Sequence, residues 1–179
     1  MKRIVILFTL ALSLALTTSC EKNKTTTTEE TIETTDPATA KSEIVTTMDK
    51  FHDAFKNKKA EDIKILLNEN GLYCGTDPSE IFSYEGFIKY LNLKLTNPAI
   101  GTIGYKIDRR EISLDKNNPT NAIVVDQFKM DVFTQNIMWR MVSHLTKKDN
   151  VWKIDFISLT LVPENDAVPA INIAAHKMQ

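Results

Sequence analysis

The sequence has little of what covalent or metal chemistry requires. Its 179 residues include two cysteines, three histidines and five glycines. Cysteines at positions 20 and 74 alone build no disulfide framework. Histidines at 52, 144 and 176 are scattered without ligand spacing, which gives no metal site and implies no cofactor. No glycine-rich loop is present to cradle a phosphate, and neither a Gly-x-Ser-x-Gly elbow nor a Cys–His arrangement supplies a covalent nucleophile. Charge of one sign is lacking too: 22 Lys+Arg stand against 23 Asp+Glu. Nucleic acid, which needs a basic stripe, is not an expected partner. The apolar run from Ile4 to Leu16 spans 13 residues, short of the roughly 20 needed to cross a bilayer as a helix.

What that run does carry is an export pattern. Lys2 and Arg3 precede it, and the small residues Thr17, Thr18 and Ser19 lead into Cys20. This arrangement resembles the lipobox of bacterial lipoproteins, although Thr17 stands where that family prefers Leu. The resemblance implies removal of residues 1–19 and lipidation of Cys20. An ordinary secretory cut near Ser19, or an uncleaved anchor, fits the same residues. Glu21, rather than Asp, follows the cysteine, so the resemblance implies the bacterial cell envelope and favours its outer membrane. Residues 20–40 are almost entirely Thr, Glu and small polar residues, with too little apolar surface to offset ordering, and read as a flexible tether. The domain is expected over 41–166, with a C-terminal tail over 167–179.

Within the domain, Ile44, Met48, Phe51 and Phe55 recur at helical spacing, predicting a helix over Ser42–Asn57 with His52 at the boundary of its apolar stripe. A second helix is expected over Ala60–Asn68, stopped at Gly71. Asp77-Pro78-Ser79-Glu80 fits a capping box that opens a helix, and Ser83 caps another over Tyr84–Leu95. Cys74 lies in an apolar, strand-like stretch and reads as packing. From Gly104 the period becomes two. Strands are expected over Tyr105–Leu114, Ala122–Phe133, Ile137–Lys147 and Val151–Val162, broken by turn residues. Helices followed by hairpins give an α+β domain with an antiparallel sheet.

These pieces resemble the SnoaL-like branch of the NTF2-like superfamily. The likeness rests on the N-terminal amphipathic helix, Gly75-Thr76-Asp77-Pro78 ahead of Phe82-Ser83-Tyr84-Glu85-Gly86, Trp139-Arg140, and Val151-Trp152-Lys153-Ile154 running to Val162-Pro163. It implies a cone in which N-terminal helices close a curved antiparallel sheet around a pocket, with Tyr84 at the rim, and it points to sheet-mediated homodimers. Family members include isomerases, cyclases, dehydratases and proteins that only bind, so the fold does not supply the activity.

Candidate site residues follow from the hairpin at Thr134–Asn136. Pairing Phe133 with Ile137 sets Asp126 opposite His144 and Met130 opposite Arg140, on one face with Phe128 and Val142. A carboxylate orienting an imidazole makes a general base, and Arg140 could hold an anion. The same register equally describes a cross-strand ion pair or a satisfied core histidine. A two-residue turn at Asp149-Asn150 brings Asp155 beside His144. The reading that emerges is a membrane-anchored lipoprotein that binds a small apolar or anionic ligand or a partner protein without catalysis. The alternative is a small acid–base enzyme using Asp126 and His144.

Overall fold

The structure, a computed structural model, describes residues 36–116, 119–132 and 134–177. The expected signal peptide, the expected lipidation at Cys20 and the expected tether up to residue 35 lie outside the described residues. Helix α1 (Pro37–Lys56) opens where the Asp36 carboxylate accepts the Thr39 N–H at 3.1 Å and proline occupies the first turn. That start signal precedes Ser42, so the end of the expected tether is helical. Ala40, Ile44, Met48, Phe51 and His52 are buried along one side of α1.

Helix α2 (Ala60–Lys64) is a short turn rather than the longer helix expected, because the chain then enters strand β1 (Leu67–Cys74). The Leu66 carbonyl accepts the Ile154 N–H at 2.9 Å, so a sheet ladder satisfies the backbone that a helix would have used. Gly71 serves this strand and is no helix stop. Tyr73 is fully buried, and its hydroxyl donates to the Asn68 carbonyl at 2.7 Å and accepts the Asn68 N–H at 3.1 Å. A Cβ on Gly71 would overlap the Tyr73 ring and stand 2.8 Å from the Asp155 carbonyl.

The Asp77–Glu80 segment forms a turn into strand β2 (Ile81–Phe82), not a helix. Glu80 reaches back as a capping glutamate does, accepting the N–H groups of Thr76 at 2.9 Å and Asp77 at 3.2 Å. Helix α3 (Tyr84–Leu95) matches expectation, with Ser83 accepting the Gly86 N–H at 3.3 Å. Strands β3 (Ile107–Leu114), β4 (Asn121–Met130), β5 (Thr134–Lys148) and β6 (Val151–Val162) follow as antiparallel neighbours. The sheet has six strands in the order β2-β1-β6-β5-β4-β3. It is mixed, because β1 runs parallel to β6. Asp149 and Asn150 both adopt positive φ in the β5–β6 turn, the geometry a two-residue hairpin of this twist demands.

The β4–β5 register differs from expectation. Strand β5 begins at Thr134, so the expected turn residues lie inside it, and the chain reverses through Asp131 and Val132 instead. With an irregularity between Phe128 and Met130, the ladder pairs Ile123 with His144, Asp126 with Met141 and Gln127 with Arg140. Relative to the expected pairing the slip is an odd number of residues, and it exchanges the two faces of β5. Trp139, Met141 and Leu145 turn inward, a more apolar set than Arg140, Val142 and His144.

The inner sheet face, α1 and α3 share one core that includes Ile44, Met48, Phe87, Leu91, Phe128, Trp139 and Ile157. Beyond β6, a 3-10 turn over Asn165–Ala167 leads into the expected tail, which forms helix α4 (Val168–His176), none of whose residues is buried. No helix among the described residues is long and apolar enough to cross a membrane. Replacing Gly71 by Ala should lower unfolding stability by about 2 kcal/mol, because the added methyl has no room beside Tyr73. Denaturant unfolding of the variant checks this, and an unchanged midpoint would contradict the packing described.

Candidate ligand-binding site

A cavity of about 210 Å³ lies between the inner sheet face, α1 and α3. Its walls are mainly apolar, with Phe51, Phe55, Leu91, Phe128, Trp139 and Met141 among them, and both His52 and Tyr105 border it. A small apolar enclosure with a few convergent polar groups is the form that sites for small molecules take.

His52 is inward because it stands one helical turn after Met48 on α1, and only 3% of it is exposed. Its Nε2 lies 2.8 Å from Asp126 Oδ2, and its Nδ1 lies 2.8 Å from the Tyr105 hydroxyl. Asp126, on β4, is fully buried. Arg110, its cross-strand neighbour on β3, donates Nε–H to Oδ1 at 2.6 Å and Nη2–H to Oδ2 at 3.1 Å. The same guanidinium donates Nη1–H to Asp49 of α1 at 2.7 Å. Burial pushes the Asp126 carboxyl up, but the hydrogen bonds from His52 and Arg110, with the guanidinium charge, outweigh it and hold the group below the usual carboxylate range. Burial, and then the Asp126 charge, push the Tyr105 phenol well above its ordinary value. Tyr105 therefore enters the site as a neutral hydroxyl, stacked on Phe128 with ring centroids 4.7 Å apart.

The opposite rim is set by β1 and α3. Thr76, Glu80, Tyr90 and Lys94 border the cavity there. Burial, and then the nearby Glu80 carboxylate, push the Tyr90 phenol above its ordinary value, and Lys94 Nζ sits over the Tyr90 ring, 5.4 Å from its centroid. Cys74 is half-buried at the same side.

The residues expected to form the site are only partly gathered. Asp126 points inward as expected, on the face that carries Phe128 and Met130. His144 and Arg140 do not join it, since the register places both on the outer face of the sheet. His144 instead binds Asp155 through Nδ1 at 2.6 Å, and Asp155 occupies the irregularity between the His144 and Leu145 pairs. The neighbour foreseen from the Asp149-Asn150 turn is thus present. Tyr84 packs against the core and is not among the residues lining the cavity. His52 and Arg110 take the places expected of His144 and Arg140. His52 is buried rather than at the boundary of the α1 stripe, and its i+4 spacing from Met48 is the signal that could have placed it inward; for Arg110 the only signal is its partnership with Asp126, which needs the β3–β4 register. Among the described residues no group of three or more His, Cys, Asp and Glu could hold a metal ion.

Helices closing one face of a curved, unclosed sheet around an apolar cavity define the NTF2-like class of fold. Solved structures agree at the level of fold. An NTF2-like protein from Cytophaga hutchinsonii shares 15% identity at a TM-score of 0.56, over 68% of this chain and 98% of its own. A candidate dehydratase of the NTF2-like family from Streptomyces avermitilis shares 11% at 0.61, over 72% and 100%. An NTF2-like protein of unknown function from Pseudomonas putida shares 10% at 0.62, over 73% and 92%. The sequence narrows the class: residues 44–161 match the SnoaL-like domain, and the chain belongs to that family. None of the curated protein sequences matches it.

The buried charge cluster makes stability depend on pH with a definite sign. Folded Asp126 keeps its charge to lower pH than the unfolded chain, whose aspartates titrate near pH 3.9. Its contribution is complete above about pH 4 and is lost as pH falls through the depressed folded value. Asp126→Asn should cost about 3 kcal/mol at neutral pH, because Arg110 and His52 lose their anion. It should also flatten the fall in Tm as pH drops below about 4. Thermal unfolding across that range checks both, and parallel curves for the two proteins would contradict the assignment.

Proposed function

We propose that this protein is a lipid-anchored envelope protein whose cone cavity binds a small, largely apolar ligand without turning it over. The observation that carries the reading is the cavity of about 210 Å³, apolar except where His52 and Tyr105, and the rim around Lys94, border it. The Leu16–Cys20 stretch and the polar segment after it support the anchor, and Glu21 supports the outer membrane as its site. Native mass spectrometry of the full chain, purified gently from its own host, should reveal a co-purifying small molecule together with the mass of acyl chains on Cys20. A chain that carries no acyl mass would remove the anchor. A chain that arrives empty and takes up no apolar probe would remove the ligand.

A second reading is a small acid–base enzyme of the isomerase, cyclase or dehydratase type. The buried His52–Asp126 pair beside the cavity favours it, in place of the Asp126–His144 pair that the register separates. Binding without turnover ranks first because both imidazole nitrogens are engaged and Asp126 is saturated by Arg110 and His52. A catalytic rate lost in His52→Gln with the fold intact would reverse that order.

We also propose that the outer sheet face pairs two copies of the chain. Ile123 on that face is 48% exposed, and Val125, Val142 and Phe156 are only half-buried there. Sedimentation of the full chain should give a dimer that Ile123→Lys dissociates; a monomeric wild type would refute it.

A further inference from the structure

The hydrogen bonds around His52 have a direction, and it reaches the cavity. Asp126 accepts two donors from Arg110, and its Oδ2 also faces His52 Nε2 at 2.8 Å. A carboxylate has no proton to give, so Nε2 carries the ring N–H. Arg110 matches the charge of buried Asp126, while its second carboxylate, Asp49, is 58% exposed and solvated by water. The imidazole is walled by Phe51, Tyr105 and Phe128, each in edge contact with centroids 5.6 Å away. A second cation there would be poorly solvated, and we infer that the ring is held as the neutral Nε2–H tautomer. Its Nδ1 is then a bare lone pair, and the Tyr105 hydroxyl at 2.8 Å is the donor that fills it.

The phenol proton is therefore committed to His52. The Tyr105 oxygen keeps a lone pair and no hydrogen to offer, at a residue that borders the cavity. This polar subsite then accepts a hydrogen bond from the ligand, and so selects an apolar alcohol or phenol over a ketone, ester or ether of the same shape. Arg110 sets the polarity from a distance by fixing Asp126 as an anion; His52 transmits it; Tyr105 presents it. A carbonyl ligand would meet an oxygen lone pair with its own, whereas a hydroxyl donates into it. This inference rests on the cavity being a ligand site.

The test uses the full chain and two probes that share a ring system, 2-naphthol and 2-methoxynaphthalene, titrated by fluorescence. The expected result is that 2-naphthol binds roughly fivefold tighter, the worth of one neutral hydrogen bond, and that Tyr105→Phe erases the preference. Equal affinities, or a preference that survives Tyr105→Phe, overturn the inference while leaving the cavity as a ligand site. If neither compound binds, the cavity reading falls and takes the inference with it. Should Tyr105→Phe fail to fold, nitrogen-15 NMR of His52, with His144→Gln and His176→Gln removing the other two imidazoles, decides independently. A protonated Nε2 with a bare Nδ1 supports the inference, and a protonated Nδ1 overturns it.

Discussion

The fold is organised around one buried anion. Asp126 lies in the inner sheet face where every other β4 side chain directed inward is apolar, and an isolated carboxylate there would be poorly tolerated. Arg110 and His52 make it tolerable, and each comes from a different element: the neighbouring strand and the long helix. Satisfying Asp126 therefore fixes how α1 lies across β3 and β4, since Arg110 also reaches Asp49 one turn before His52. The apolar contacts of Ile44, Met48 and Phe51 hold the helix to the sheet, but they would tolerate small slides. Hydrogen bonds of 2.6–3.1 Å do not.

Much of the architecture could be read from residue order because its signals are local. The α1 stripe, the Ser83 cap and the Asp149-Asn150 turn each depend on residues within a few positions of one another, and each element appears where it was expected. Errors arose where a distant partner decided. Cys74 sits in a strand-like stretch, but the earlier part of β1, residues 67–71, contains Asn, Glu and Gly and carries little strand signal, and β6 offers it a ladder that no local pattern reveals. The β4–β5 register turned on which of two adjacent stretches reverses the chain, and an odd slip was enough to send His144 and Arg140 to the other face. Asp126 was still identified as inward because its neighbours Phe128 and Met130 share its parity. Its partners could not be, since helix α1 and strand β3 meet it only in three dimensions.

The two histidine–aspartate pairs of the domain show how setting determines meaning. His144 and Asp155 lie on the outer face, with side chains 36% and 21% exposed, where water competes for both. His52 and Asp126 have side chains 4% and 0% exposed and stand against an apolar cavity. The same two residue types form a solvated surface contact in one place and a directional, dehydrated arrangement in the other. Membership of the SnoaL-like family supplies the enclosure; the side chains placed in it decide what the enclosure recognises.

Helix α1 also determines how the domain bears mechanical load. Whatever pulls on the polypeptide upstream of Asp36 pulls first on this helix. Its first long-range side-chain hydrogen bonds among the described residues are at Glu43, which accepts from Lys147 of β5 at 2.7 Å and from the Trp152 indole of β6 at 2.9 Å. Tension entering at Asp36 is thus handed to the longest hairpin of the sheet two turns before it could reach His52. The part of the helix that borders the cavity is shielded from tension that enters at its start.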